Sequence, residues 1–424
     1  MPIQFNILHQ SKSSKARVGR IETRHGGFDT PAFMPVGTRG SLKGLLPGLV
    51  ADTGSQIILA NTYHLLLRPG ADLVAKLGGL HAFMQWPGPI LTDSGGYQVF
   101  SLADASNITD GGVTFRSHID GSLIDLTPER AMQVQQGLGA DIIMAFDDCP
   151  PSVEPVNNGQ ASGGRPAPRA PLPTGDGDKR VYEACERTIR WLERCVRAHR
   201  TAGADGRQAL FGIVQGGTNL DERAWAIERV CSFDLPGYAI GGVAVGEGPE
   251  EIRRVVEFSA PRLPSDRPRY LMGVGYERDI VAAVRAGCDM FDCVLPTRNG
   301  RSACAFTRDG QIRLKNARFA DDPRPIDTAC DCLACHPSLH NWAGPVPGGA
   351  PSQGGTEAPN RPCFSRAYLR HLFQAGEMLG PILVSLHNVR HFQRLMVDIR
   401  QAIREDTWPA LALAWPVARP GIGH

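Results

Sequence analysis

Short apolar runs recur along the chain, separated by longer amphipathic stretches. The runs are Gln56–Ala60, Pro89–Thr92, Asp141–Phe146, Ala209–Val214, Gly237–Ile240, Tyr270–Val274 and Asp289–Leu295. Each has strand length and little alternation, the pattern of a strand buried on both faces. Between them, Val181–His199 puts Val181, Cys185, Ile189, Leu192 and Val196 on one helical stripe. Glu251–Phe258 and Glu277–Ala286 also suit helices. Strands that alternate with helices build a parallel sheet. Seven such strands, with an eighth near Pro31–Val36, favour a (β/α)8 barrel. A doubly wound open sheet is the alternative, because periodicity does not report closure. Ala16–Thr23 and Gly27–Phe33 fall outside the repeat and read as a short antiparallel cover on one end of the barrel.

Pro150–Asp178 and Ala343–Pro362 interrupt this order. Both are poor in core residues and rich in Pro and Gly, the composition of flexible insertions.

Composition narrows the class. Of 424 residues, 42% are hydrophobic and 21% charged, as in a soluble globular protein with a sizeable core. The formal net charge of +2 neither demands nor excludes nucleic acid, so an RNA partner would need a local basic face. No run reaches the ~18 apolar residues of a membrane span. The first residues, MPIQFNILHQSKSSKAR, lack the apolar core of a secretory signal, so the expected location is the cytoplasm. Thiols stay reduced there, and clustered ones among the eleven cysteines point to metal rather than disulfides. Seven scattered cysteines, such as Cys149 and Cys195, read as small buried apolar residues.

Polar residues gather where the strands end. Pro89–Thr92 stops at Asp93, followed by SGGYQ; Asp141–Phe146 stops at Asp147 and Asp148; Ala209–Val214 stops at Gln215-Gly216-Gly217. Gly237–Ile240 ends at Gly241-Gly242, Tyr270–Val274 ends at Gly275, and the last run carries Asp292. In a parallel barrel all C-terminal strand ends face one way, so these acids, amides and bare backbone groups converge on one pocket. Any one Asp or Gly is equally well a turn former or a helix cap. Asp292 resists that reading, because it sits inside the apolar run Met290–Leu295, where an unpaired carboxylate is costly.

Cys330-Asp331-Cys332-Leu333-Ala334-Cys335 is a C-x-C-x-x-C triplet, three thiolates on one face of a tetrahedral zinc site. Spacing leaves the fourth ligand open among His336, His340, Cys363, His371 and His387. Four protein ligands leave no place for substrate, so the site reads as structural.

At this point the strings identify a family. LTDSGGYQVFSL (Leu91–Leu102), SHIDGS (Ser117–Ser122), MAFDDC (Met144–Cys149), LFGIVQGG (Leu210–Gly217), AIGGVAVGEG (Ala239–Gly248), YLMGVG (Tyr270–Gly275) and DMFDCVLPTRNGR (Asp289–Arg301) occur in order with the cysteine triplet. Together they resemble bacterial tRNA-guanine transglycosylases, from about Pro31 to about Ile403 apart from the two insertions. The resemblance implies an irregular (β/α)8 TIM-type barrel with a C-terminal zinc-binding subdomain. It implies exchange of guanine at the wobble position of tRNA for a 7-deazaguanine precursor of queuosine. By resemblance Asp292 is the nucleophile and Asp93 the proton acceptor. The base pocket matches Asp93, Ser94, Gly95, Gly96, Tyr97, Asp147, Gln215 and Gly242, with Met272 facing Tyr97 across the base and Val245 limiting room for the base's 7-substituent. Gly273, Val274, Gly275, Tyr276, Glu277, Arg278 and Asp279 match an RNA-contacting stretch. Thr297, Arg298, Asn299, Gly300 and Arg301 match the stretch that recognises the wobble region. The zinc ligands are then Cys330, Cys332, Cys335 and His387, one zinc per chain. His371, Phe364 and Tyr368 match a subunit interface, which implies a homodimer.

Two positions depart from the pattern. Tyr276 stands where relatives commonly carry a basic residue, and Val243 is smaller than the leucine often found there. The expected division is a barrel over residues 1–320, with its cover and the insertion at 150–178. Residues 321–424 would then form the zinc-binding subdomain and closing helices, with the insertion at 343–362. Two rival classes are a non-catalytic RNA-binding subunit and a zinc hydrolase. The first should have lost Asp93 or Asp292, and the second needs a metal with an open position.

Overall fold

In the computed structural model, which describes residues 2–102, 106–150, 176–244, 246–337 and 363–419, the apolar runs become short parallel strands. The first three strands, β1 (Gln4–Gln10), β2 (Arg17–Thr23) and β3 (Gly26–Thr30), form an antiparallel sheet. Then come β4 (Ala32–Pro35), β5 (Ile58–Ala60) and β6 (Ile90–Thr92). A second antiparallel sheet follows, β7 (Ser106–Thr109), β8 (Gly112–Arg116) and β9 (Leu123–Leu126). The remaining parallel strands are β10 (Ile142–Met144), β11 (Ala209–Val214), β12 (Gly237–Ile240), β13 (Arg269–Leu271) and β14 (Met290–Cys293).

The parallel sheet runs β4-β14-β13-β12-β11-β10-β6-β5. Val36 bridges Leu59 in parallel, just past the end of β4, so the two edge strands meet and the sheet closes. This is the eight-stranded barrel, and the open-sheet alternative is set aside. Strands β11 and β12 match their apolar runs, while others are shorter; in Asp141–Phe146 only Ile142–Met144 lies in the ladder, although Ala145 and Phe146 are buried too.

Strand alternation sorts the core into two layers. Ala32, Met34, Leu91, Ile142, Met144, Phe211, Ile213, Ala239, Tyr270 and Met290 pack together inside the barrel. Their neighbours Phe33, Ile90, Ile143, Leu210, Leu271 and Phe291 face outward onto the helices. Ile3, Ile21 and Phe28 of the N-terminal segment join the inner cluster, so the β1–β3 sheet plugs the end where the strands begin. Arg17 pins it there with bonds of 2.9 and 2.7 Å to Asp289, both buried, and the same carboxylate accepts from the Arg269 backbone at 2.7 Å. The sequence reading placed Ala16–Thr23 and Gly27–Phe33 in this cover; β1 is an addition to it, and Phe33 belongs to the barrel.

Three expected helices appear as Asp176–Thr201, Pro249–Ser259 and Glu277–Ala286. After β14 come a short helix, Leu295–Arg301, and the hairpin β15 (Cys304–Thr307) with β16 (Gly310–Arg313). The helix Arg366–Ala375 and the 27-residue helix Leu379–Glu405 follow. That long helix touches nearly everything nearby. Asn388 bonds Phe306 N, Pro296 O and Cys304 O, Gln393 bonds Phe33 O of β4, and Ser385 packs against Gly300. Most of the two Pro/Gly-rich insertions, and with them His340, lies outside the described residues, as does Val245.

Candidate active site and metal centre

The same alternation dictates which acids enter the barrel mouth. Leu91 and Met290 face inward, so Asp93 and Asp292, two residues on, face inward as well. Tyr270 faces inward and brings Met272 with it. These side chains, with Asp147, Gln215 and Gly242, line one cavity of about 440 Å3 at the C-terminal strand ends. Tyr97 and Arg298 line it too, and both are exposed.

Asp93 is buried. Its Oδ1 accepts from the Thr62 backbone N–H at 2.7 Å and its Oδ2 from the Asn61 amide. Removal from water raises its pKa from 3.8 to about 6, against the pull of these two donors, and the nearby Asp292 adds to the rise. A carboxyl that titrates there switches readily between proton acceptor and donor near neutral pH.

Asp147 is buried beside Asp93, past the end of the adjacent strand β10. Ser94 donates to its Oδ1 at 2.6 Å and Gln215 to its Oδ2 at 2.6 Å. Burial lifts this carboxyl to about 6 as well. Gly96 passes so close that a Cβ there would stand 2.5 Å from Asp147 O, so this position of the SGG turn must be glycine. Gly242 has a φ of +62°, and a Cβ on it would strike the Gln215 amide oxygen.

Asp292 differs from both. Its Oδ1 takes two bonds, from the Tyr270 hydroxyl at 2.6 Å and the Gly273 backbone at 2.8 Å. Among the described residues no hydrogen bond reaches Oδ2, which leaves that oxygen bare at the cavity wall. Burial raises the carboxyl pKa, and the two donors oppose that rise.

Three supporting residues escaped the sequence reading. Asn61 follows β5 and Tyr270 lies in β13, each visible only once strand parity is applied. Arg223 is wholly buried and binds Gly217 O at 2.9 and 2.8 Å, Val214 O at 3.0 Å and Gly242 O at 3.1 Å, tying the two glycine turns together. In sequence it sits among Asp221, Glu222 and Glu228, which look like a solvated helix face.

The expected RNA-contacting stretch divides. Gly273 is exposed, whereas Val274 and Gly275 are buried. Arg278 bonds its neighbour Asp279 at 3.2 Å, and Tyr276 is half-buried. Glu277 offers no surface: it is fully buried and bonds His391 at 2.7 Å, locking its helix to the long helix Leu379–Glu405. In the second stretch Arg298 and Arg301 are exposed and Asn299 is half-exposed, while Thr297 and Gly300 are buried.

The cysteine triplet finds its fourth partner across the hairpin. Cys330, Cys332, Cys335 and His387 are buried with their ligand atoms all within 4.8 Å of one another. His387 Nδ1 lies 3.5 Å from Cys332 Sγ and 3.4 Å from Cys335 Sγ, and its Nε2 is 2.7 Å from Phe306 O. A carbonyl accepts only from N–H, so Nε2 carries the proton and the Nδ1 lone pair faces the thiols, the arrangement of a metal-ligating histidine. Arg390 closes the loop from outside by gripping Asp331 at 2.8 and 2.6 Å. His336 and Cys363 stay out of the cluster, and His371 instead stacks near Tyr368, 6.4 Å between ring centroids. The four residues fit a tetrahedral metal ion with no position left open.

Comparison with known proteins agrees with this geometry. The family model described as queuine tRNA-ribosyltransferase matches residues 11–163 and 167–419. Three similar proteins carry that name. One from Thermus thermophilus is 50% identical over 407 residues, 96% of this chain and 92% of the relative. One from Synechococcus elongatus is 47% identical over 403 residues, 95% and 92% of the two chains. One from Desulforamulus reducens is 45% identical over 406 residues, 96% of each. The chain therefore belongs to the queuine tRNA-ribosyltransferase family.

Proposed function

We propose that this chain is a tRNA-guanine transglycosylase working by double displacement through a covalent aspartyl-ribose intermediate. The observation that carries the reading is Asp292: one carboxylate oxygen is held by two donors and the other is left to the cavity. In the first displacement that oxygen attacks C1′ of the ribose, the bond to guanine N9 breaks, and guanine leaves with the electron pair. In the second, the incoming base attacks C1′ from the side guanine left, gives its N9 proton to Asp93, and expels Asp292. Two inversions preserve the configuration, as in retaining glycosidases.

Recognition follows from donor and acceptor types. Asp147 accepts from the N–H groups of the base's Watson–Crick edge, while the Gln215 amide and the Gly242 N–H donate to its ring carbonyl. One Gln215 hydrogen is already given to Asp147, which orients the amide. Tyr97 and Met272 sandwich the flat base, which must leave its stack to enter. Arg298 and Arg301, exposed beside the mouth, supply charge to the RNA backbone or flanking bases.

The base taken is the small 7-aminomethyl-7-deazaguanine precursor, a reading that rests on Val245. The four-ligand cluster takes one Zn2+, which supplies a fixed tetrahedral node and no reaction step. The chain acts in the cytoplasm as a homodimer. What supports the dimer is the aromatic ladder Phe364–Tyr368–His371, with centroid spacings of 6.1 and 6.4 Å and Tyr368 exposed.

The test is exchange of labelled guanine into unmodified tRNA. Wild type should exchange, and Asp292→Asn should fold, bind tRNA and fail. A denaturing gel of enzyme, tRNA and a poorly reactive base analogue should show an RNA-shifted protein band. A band that survives Asp292→Asn assigns the nucleophile elsewhere; normal exchange with no band under any condition favours direct displacement.

A further inference from the structure

A second group of metal-ligating side chains lies at the opposite end of the barrel. His25 sits in the turn joining β2 and β3, His81 in the helix Gly79–Met84, and Asp141 immediately before β10. His25 Nδ1 is 2.7 Å from Asp141 Oδ1, and His81 Nε2 is 3.1 Å from Asp141 Oδ2. The three ligand atoms lie within 4.8 Å of one another. Asp141 precedes its strand and Asp147 follows it, so the barrel separates this cluster from the catalytic mouth.

We infer that His25, His81 and Asp141 form a second metal site, for a borderline divalent transition ion such as Zn2+, Co2+ or Ni2+. Two imidazoles and a carboxylate drawn from three separate elements are the donor set such ions prefer. The carboxylate is already anchored. Its Oδ2 accepts from the Ile90 backbone at 3.0 Å, and Asp141 N donates to Ile90 O at 2.9 Å. Outer bonds of this kind fix a ligand before an ion arrives. The two histidines are the charged or chargeable partners that ion pairing gives Asp141 among the described residues; no Arg or Lys competes for it.

Access and room also fit. Asp141 is almost wholly buried, while the His25 side chain is 35% exposed, so the site opens to solvent on one side. The two rings stack with centroids 3.5 Å apart and planes 18° apart. An ion bound by both nitrogens needs the ring planes to converge on it, so one ring must turn about its χ2. His25 has the space to turn; His81, 12% exposed, keeps its place. With water filling the remaining coordination positions, the ion would bind the β1–β3 sheet to the start of the barrel. This differs from the closed cysteine cluster in both ligand softness and openness.

The experiment uses the full chain with zinc already in the cysteine site, titrated with Co2+ under equilibrium dialysis and visible spectroscopy. Wild type should take about one cobalt beyond its zinc, with d–d bands and no thiolate-to-cobalt charge transfer. His25→Gln and His81→Gln should each weaken this uptake by at least ~10-fold, the scale set by loss of even an outer partner. Their base exchange should match wild type, which shows that they fold. Added cobalt should also raise the melting temperature of wild type and leave the double variant unmoved. No cobalt beyond one metal per chain, uptake that persists in the double variant, or uptake seen only with thiolate charge transfer would each overturn the assignment.

Discussion

The Tyr270 hydroxyl stands 2.6 Å from Oδ1 of Asp292, reaching across from the neighbouring strand β13 to the acid of β14. The phenol is buried, and its own pKa is held well above the usual value of 10 by that burial and by the carboxylate beside it. It thus remains a donor throughout the working range. Tyr270→Phe removes one of the two bonds that aim the carboxylate. A bond to a charged group contributes about 1.5–3 kcal/mol, so exchange should slow roughly 10- to 100-fold. The acid limb of the pH–rate profile should move to higher pH, because a donor that favours the ionised form is gone. Unchanged kcat with an unchanged profile would remove Tyr270 from the mechanism.

The two buried acids make activity and stability respond oppositely to pH. Asp93 and Asp147 titrate at about 6 in the folded chain against 3.8 when unperturbed. A raised value means that the stability contribution is complete below the unfolded pKa and is lost as pH rises through the folded one. From pH 4 to pH 7 these two groups should therefore cost the fold, by at most about 3 kcal/mol each. On the proposed mechanism Asp93 accepts a proton, so exchange should rise through the same interval. Melting curves of wild type and Asp93→Asn/Asp147→Asn across this range check it. The double variant should gain on wild type as pH rises, and parallel curves would refute the claim.

Arg223→Met should harm the site without touching substrate. The variant keeps the volume of the stem but strands the carbonyls of Gly217 and Gly242 that the guanidinium now satisfies, and leaves Val214 O with its bond from the Gly241 backbone alone. Leaving buried acceptors unpaired costs about 1–3 kcal/mol per group. We expect a melting temperature several degrees lower and a raised KM for the base. Arg223→Lys should rescue only part of this, since one ammonium cannot span several carbonyls in a fixed fork. Full rescue by lysine would show that charge alone matters there.

His387→Ala should release the metal, whereas His336→Ala should not. His387 is the imidazole that faces Cys332 and Cys335. Metal analysis of purified protein should fall from about one ion per chain to well below it. The hairpin of β15 and β16 should become protease-sensitive, because Phe306 O loses its imidazole partner as well. Full metal content in His387→Ala would move the fourth ligand elsewhere.

How far the sequence carried depends on which force shapes each segment. Barrel strands are buried on both faces, so they read as apolar runs, and Asp93, Asp147, Gln215 and Asp292 stood out where those runs turned polar. Strand β1 escaped because its residues alternate between exposed and half-buried, with none fully buried to mark it. The β7–β9 sheet escaped for a related reason: in β9 only Leu126 is buried. Arg223 and Glu277 were the hardest, since charged residues in helices ordinarily face water, and only the fold shows both turned inward. The cysteine triplet was plain from spacing, but its histidine lies more than fifty residues away in the chain, 55 from Cys332, and needed either the resemblance or the fold to be found.

The 27-residue helix Leu379–Glu405 is about 40 Å long, with no proline beyond Pro381 and no glycine beyond Gly380 to act as a joint. Val384, Val389, Phe392, Leu395, Met396 and Ile399 along it are wholly buried. Through His387, Asn388 and Gln393 it is tied at once to the cysteines of the metal loop, the β15 hairpin and barrel strand β4. Its middle turns cannot open without loosening several of these together. In a deuterium-exchange time course its central amides should be the last in the molecule to label, keeping time with global unfolding rather than with any local breathing of the barrel mouth.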